Sequence, residues 1–234
     1  MRALDTRVLI CGALLAASAA VPLPDAPKAG TKATSQTSVV QTKESQAAMT
    51  PAKALAALKE GNKRFCAGTS IQKNLPAKVK ASTAGQYPFA AVLSCMDSRV
   101  PAEIVFDQSI GDLFSIRVAG NVVDSDGLGS LEYAAKVAGV KLIVVMGHTS
   151  CGAVKGAIDN VKLGNLTELV AKIQPAVTAS GPGTTKDHAY VDKVGERNVH
   201  QSMKEIRDKS PVLKEMIDDS YTLVVKSLPK KDQL

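Results

Sequence analysis

Two short stretches of the chain concentrate the side chains able to do chemistry. Residues 95–99 read CMDSR, which puts a thiol (Cys95), a carboxylate (Asp97) and a guanidinium (Arg99) within five positions. Residues 147–151 read GHTSC, which sets His148 and Cys151 three apart. CMDSR alone admits a cysteine nucleophile with an anion clamp, half of a disulfide, or part of a metal site. A phosphate-binding cysteine loop wants more backbone amides between Cys and Arg than Met96, Asp97 and Ser98 supply. Brought to one place, Cys95, Asp97, His148 and Cys151 offer two thiolates, an imidazole and a carboxylate or water. That is a four-coordinate set suited to zinc, whose sulfur ligands disfavour magnesium or calcium. A Cys95–Cys151 disulfide is the competing reading for an exported chain, and it leaves His148 and Asp97 without a role.

The elements around these stretches decide whether they meet. PFAAVLSC (88–95) is a short apolar run that predicts a buried strand, with CMDSR at and just beyond its carboxyl end. KLIVVMG (141–147) predicts a second strand that runs directly into His148. Between them lie a short helix opened by Pro101, a strand LFSIRVA (113–119) and a helix around SLEYAAKVA ended by Gly139. Upstream, Thr50-Pro51 reads as a helix start, with Leu55, Leu58 and Phe65 at roughly helical spacing up to Gly68. Alternating strands and helices predict an α/β fold: a mainly parallel central sheet flanked by helices, preceded by an N-terminal helical arm. In such sheets ligands collect at the carboxyl ends of the strands, where both motifs fall.

The N-terminus reads as an address. MRALDTR is a net positive leader, VLICGALLAASAA an apolar run, and Ala17-Ser18-Ala19 a cleavage signal, so residues 1–19 are expected to be a signal peptide and the protein periplasmic or secreted. The run falls short of the roughly 20 residues a bilayer span needs, so no stable membrane anchor is expected; a buried N-terminal helix is the alternative. Residues 20–48, rich in Ala, Ser, Thr, Pro and Lys without apolar periodicity, read as a leader or linker, and residues 49–234 as one domain. Loss of Cys11 would leave Cys66, Cys95 and Cys151, an odd number for a disulfide framework; Cys66 reads as a buried small hydrophobe.

Composition sets the remaining bounds. With 45% hydrophobic residues, 3% aromatics and no Trp, the core must be built from Ala, Val, Ile and Leu. A net charge of +7 spread over many Lys residues lacks the basic clusters interleaved with aromatics that a nucleic-acid surface shows, so no nucleic-acid partner is expected. His188 and His200 fall in polar helical sequence and read as surface residues.

The combination CMDSR, RVAGNVV, SLEYA and VVMGHTSCGAVKGA resembles the β-class carbonic anhydrases over roughly residues 50 to 219. The resemblance implies zinc held by Cys95, His148 and Cys151. It implies two states for Asp97, which either takes the fourth position on zinc and closes the site or pairs with Arg99 and leaves that position to water. The implied reaction is reversible hydration of carbon dioxide to bicarbonate and a proton by hydroxide generated at zinc. Gln86 is implied as a substrate hydrogen-bonder, Phe114 as part of a carbon dioxide pocket reached across a dimer interface, and Gly152 as a backbone donor to a substrate oxygen. A homodimer or higher even oligomer is implied as well. Hydrolysis of carbonyl sulfide or carbon disulfide at the same site, and a non-catalytic zinc- or disulfide-stabilised binding protein, are the rival readings. Two features depart from the family pattern: the chain ends in SYTLVVKSLPKKDQL in place of the usual final strand and turn, and it has no Trp beside which an inhibitory bicarbonate could sit. The second favours the open state, with Asp97 on Arg99.

Overall fold

A computed structural model describes residues 8–11 and 40–217. The expected cleavage site at 17–19, most of the expected leader and the atypical C-terminal stretch lie outside the described residues. Elements run in the order β1 (Val8–Cys11), α1 (Lys43–Ala47), α2 (Pro51–Cys66), α3 (Leu75–Ala81), β2 (Ala90–Ser94), α4 (Ala102–Val105), β3 (Leu113–Arg117), α5 (Ser125–Glu132), β4 (Leu142–Met146), α6 (Gly152–Ile158), α7 (Leu166–Ala171), α8 (Gln174–Ser180) and α9 (His188–Lys209). Residues 211–217 add a further helical turn or two.

The sheet order is β1-β4-β2-β3. β2 pairs in parallel with β3 (Ala90↔Leu113) and with β4 (Ala90↔Leu142), so three adjacent strands are parallel, with β2 between the other two. Every residue of β2 and β4 is buried, as a strand covered on both faces requires. Period-two alternation sorts their side chains. Ala91, Leu93, Ile143 and Val145 face a layer containing Leu131 of α5 and Val199, Met203 and Ile206 of α9. Ala90, Val92, Leu142 and Val144 face Ala54 and Leu58 of α2 and Val105 of α4. Buried Phe89 and Phe106 complete that second layer. A third cluster, with Cys95, Cys151, Val154, Ile173, Val191 and Val194, seals the carboxyl end of the sheet under α6, α8 and α9.

The predicted elements are present, with shifts that have local causes. Thr50 caps α2 by accepting from Lys53 N, with Pro51 at the first position. LFSIRVA keeps strand geometry only to Arg117, because Ala119–Asn121 turn away with Gly120 at φ 67 and Asn121 at φ 46. Folded structure begins earlier than the expected boundary at 48: α1 lies inside the stretch read as linker. Thr42 and Ser45 form a capping box, and buried Gln46 donates from Nε2 to Pro88 O (2.7 Å) and Ala138 O (2.8 Å). Val8–Cys11, inside the expected signal peptide, lies antiparallel on β4 with Val8 opposite Met146. Cys66, the last residue of α2, is only partly buried. Among the described residues no helix is long and apolar enough to cross a membrane.

Candidate metal centre

Because β2 and β4 are parallel neighbours, the residues that follow them emerge at the same rim. Cys95 directly follows β2, and Gly147-His148 directly follow β4. Cys151 then opens α6 as its cap, turned inward through Ser150 at φ 54. The two sulfurs stand 3.9 Å apart, and both thiols are free. A disulfide needs about 2.05 Å. Two thiolates on one tetrahedral zinc at about 2.3 Å each lie about 3.8 Å apart. The spacing therefore fits a shared ion and excludes the disulfide.

His148 completes the set. Its Nδ1 lies 3.0 Å from Thr149 O, an acceptor, so Nδ1 carries the proton and Nε2 is left with a lone pair. Nε2 is buried and has no hydrogen-bond partner, an orphan that a metal would satisfy. Ligand atoms of Cys95, His148 and Cys151 all lie within 4.8 Å of one another, and the three residues are 4%, 7% and 3% exposed. A hydrogen bond from the Cys151 thiol pulls Cys95 down to about 4, and the same bond, with burial, pushes Cys151 up. The pair thus holds one proton between two sulfurs, the proton that a cation displaces. Burial alone would lower the His148 pKa, but the neighbouring Cys95 sulfur and the charge of Asp97 outweigh it and raise it.

Asp97 sits beside the donor set without joining it. Arg99 donates from its backbone N (3.0 Å) and Nε (2.8 Å) to Oδ1, and from Nη2 (2.7 Å) to Oδ2. Those bonds hold the Asp97 carboxyl well below the usual carboxylate range. Its Oδ2 is 3.8 Å from His148 Nε2, so the ionised carboxylate borders the space that the three ligand atoms enclose.

Of the residues expected to handle substrate, one of three lies at this rim. Gly152, the first residue of α6, is exposed beside Cys151 with nothing within 4 Å of where a Cβ would sit, so its surroundings are open. Phe114 pairs with Ala91, four positions short of Cys95, or about 13 Å along the strand. Gln86 is exposed beyond the opposite end of β2. One chain therefore does not bring Gln86 or Phe114 to its own centre. Phe114 instead lines a groove of about 610 Å³ with Ile116, Asp126 and Tyr133, its ring edge-on to Tyr133 at 6.3 Å.

Comparison with known proteins settles what this arrangement belongs to. Residues 90–228 match the carbonic anhydrase family model. The chain is 42% identical to carbonic anhydrase 2 of Mycobacterium tuberculosis over 181 residues, covering 75% of this chain and 86% of that one. It is 39% identical to the carbonic anhydrase of Mycolicibacterium smegmatis over 169 residues, covering 70% and 81%. Among solved structures it is similar to the β-carbonic anhydrase CafA of Aspergillus fumigatus, with TM-score 0.57, 25% identity and coverage of 71% and 81%.

The chain belongs to the β-class carbonic anhydrases.

As a carbonic anhydrase it is a zinc lyase, and its reaction is the hydration of carbon dioxide to bicarbonate. Three supports of that centre were not singled out from the sequence. Arg117, ending β3, donates from Nε to Cys95 O (3.1 Å) and from Nη2 to Asp97 O, clamping the loop on both sides of Met96. Gly120 N donates to Cys95 Sγ (3.3 Å). Asp192 on α9 accepts from Ser150 N (3.0 Å), fixing the His148–Cys151 turn. All three act on or through backbone, which leaves no motif in the side-chain pattern; the glycine after RVA was the one signal available.

Proposed function

We propose that this carbonic anhydrase works with an open site near neutral pH, its fourth zinc position left to water because Asp97 is held by Arg99. The bidentate Asp97–Arg99 pair is the observation that carries the reading. Cys95, His148 and Cys151 would hold zinc, which would supply a Lewis acid able to lower the pKa of water to about 7 and so make hydroxide available near neutral pH. The protein's own residues do the rest. Asp97, ionised and therefore an acceptor only, takes the hydrogen bond of the nucleophile's remaining O–H and so points its lone pair at the carbon of carbon dioxide. The exposed amide beside Cys151, on Gly152, is placed to donate to a substrate oxygen as charge builds there. Arg117, through Cys95 O and Asp97 O, keeps ligand and acceptor in fixed relation.

The working unit we propose is a homodimer or a higher even oligomer. Phe114 and Gln86 lie away from their own centre, while Tyr133, which lines the Phe114 groove, is 49% exposed and Val137, four residues on, 70%. A second copy laid on that face would bring those residues toward its own rim. The tetrameric β-carbonic anhydrases of Sordaria macrospora share the fold at TM-score 0.55 and 23% identity. Export through residues 1–19 belongs to the same proposal; it would remove β1 and leave the outer edge of β4 unpaired.

Zinc content and stopped-flow carbon dioxide hydration, measured on the purified chain and on Cys151→Ser, test the reading. One zinc per chain with hydration lost in the variant supports it. Zinc-free protein with a Cys95–Cys151 bridge, or turnover of carbonyl sulfide without carbon dioxide hydration, overturns it.

A further inference from the structure

Gly120 is bracketed by two polar contacts on opposite sides. Its N–H donates to Cys95 Sγ at 3.3 Å, and its carbonyl accepts from Asn198 Nδ2 at 2.6 Å. One helical turn along α9, Ser202 Oγ donates to Asn121 O at 2.9 Å. Gly120 and Asn121 are consecutive residues at positive φ, 67 and 46, a left-handed path that is uncommon for any residue but glycine and that asparagine tolerates better than most. The glycine is also sterically required, since a Cβ there would stand 2.7 Å from Ile173 Cδ1 and 3.1 Å from Ala153 Cβ. Asn198 and Ser202 are 1% and 3% exposed, on a helix whose inward neighbours are Val194, Val199, Met203 and Ile206. Burying an amide among apolar residues is costly unless it makes a bond that an apolar residue cannot. The bond Asn198 makes is to the residue that touches the ligand sulfur.

We propose that Asn198, assisted by Ser202, is a positioning residue for the Cys95 ligand, acting through the backbone of Gly120. An N–H donor on a thiolate withdraws electron density from sulfur, lowering its charge and setting how strongly it donates to a metal. The Gly120 amide can do this only while the left-handed turn is held. The side chains that hold its two carbonyls reach across from α9, 78 and 81 residues away in sequence. Without them the 120–121 peptide is free to reorient, and the turn that aims the Gly120 amide at the sulfur loosens. The inference rests on Cys95 being a zinc ligand.

The test uses the full chain loaded with cobalt(II), whose sulfur-to-metal charge-transfer band reports on the thiolates directly. Asn198→Leu, near-isosteric without a donor, is expected to shift that band to longer wavelength, because the sulfur regains charge, and to weaken metal binding about 10-fold in a chelator competition, because the ligand is no longer held in position. Ser202→Ala, a smaller change, is expected to move both in the same direction by less. Ile206→Val, on the same helix but in a cluster separate from the one that holds Cys95, lowers stability while leaving band and affinity unchanged. An unmoved band and affinity in whichever of Asn198→Leu or Ser202→Ala folds overturns the proposal. Failure of the wild type to take up cobalt or zinc sinks instead the metal-centre reading beneath it.

Discussion

Replacing Arg99 with Gln removes the two side-chain bonds that hold Asp97, from Nε at 2.8 Å and Nη2 at 2.7 Å, and leaves only the backbone N–H at 3.0 Å. Arg99 is 51% exposed, so solvent screening keeps the loss modest, about 5- to 30-fold in the balance between held and released Asp97. Asp97 is then freer to turn toward the centre, since its Oδ2 already lies 3.8 Å from His148 Nε2. Occupancy of the fourth position by the carboxylate rises by about the same factor. Hydroxide must compete with that carboxylate, so the alkaline rise in hydration moves up by about 1 pH unit. Protonation of Asp97 does not confuse the result. Its pKa starts far below the working range, and losing Arg99 raises it only toward the ordinary carboxylate value. Stopped-flow hydration across neutral and alkaline pH, with zinc content measured on the same samples, is the assay. An Arg99→Gln protein that keeps its zinc, its neutral-pH rate and its pH profile refutes the reasoning.

Zinc uptake by the metal-free protein at about pH 8 should release about one proton per ion, read by a pH indicator, because the two sulfurs share one proton before binding. Affinity should fall as pH falls, since protons then compete for Cys95, Cys151 and His148; pH-independent affinity would contradict the ligand set. Gly61→Ala on α2 inverts the usual helix rule, under which alanine stabilises by about 1 kcal/mol. Its Cβ would stand 1.8 Å from Phe106 O, so urea denaturation should show a loss of about 3 kcal/mol instead. Gln46→Ala removes bonds to Pro88 O and Ala138 O and should lower stability by about 2 kcal/mol in the same assay, whereas a truly unstructured leader would show no change.

The centre was legible in sequence to the extent that its groups are side chains at strand ends. Cys95, Asp97, Arg99, His148 and Cys151 fall just beyond two apolar runs, and parallel pairing of β2 with β4 did the rest. Arg117, Gly120 and Asp192 were hidden because they bond to a carbonyl, through an amide and to an amide, at separations of 22, 25 and 42 residues. Periodicity carries no trace of such contacts. Gln86 was named as a substrate hydrogen-bonder and Phe114 as a pocket residue reached across a dimer interface; strand direction places both away from their own rim. α1 escaped notice because a five-residue helix has no apolar stripe, and its buried residue is a glutamine.

The most direct measurement of the central claim is a crystal structure of the zinc-loaded chain at about pH 7. The account predicts zinc on Cys95 Sγ, His148 Nε2 and Cys151 Sγ, with both Asp97 oxygens still on Arg99. An Asp97 oxygen about 2.0 Å from zinc, with the Arg99 pair broken, would contradict it.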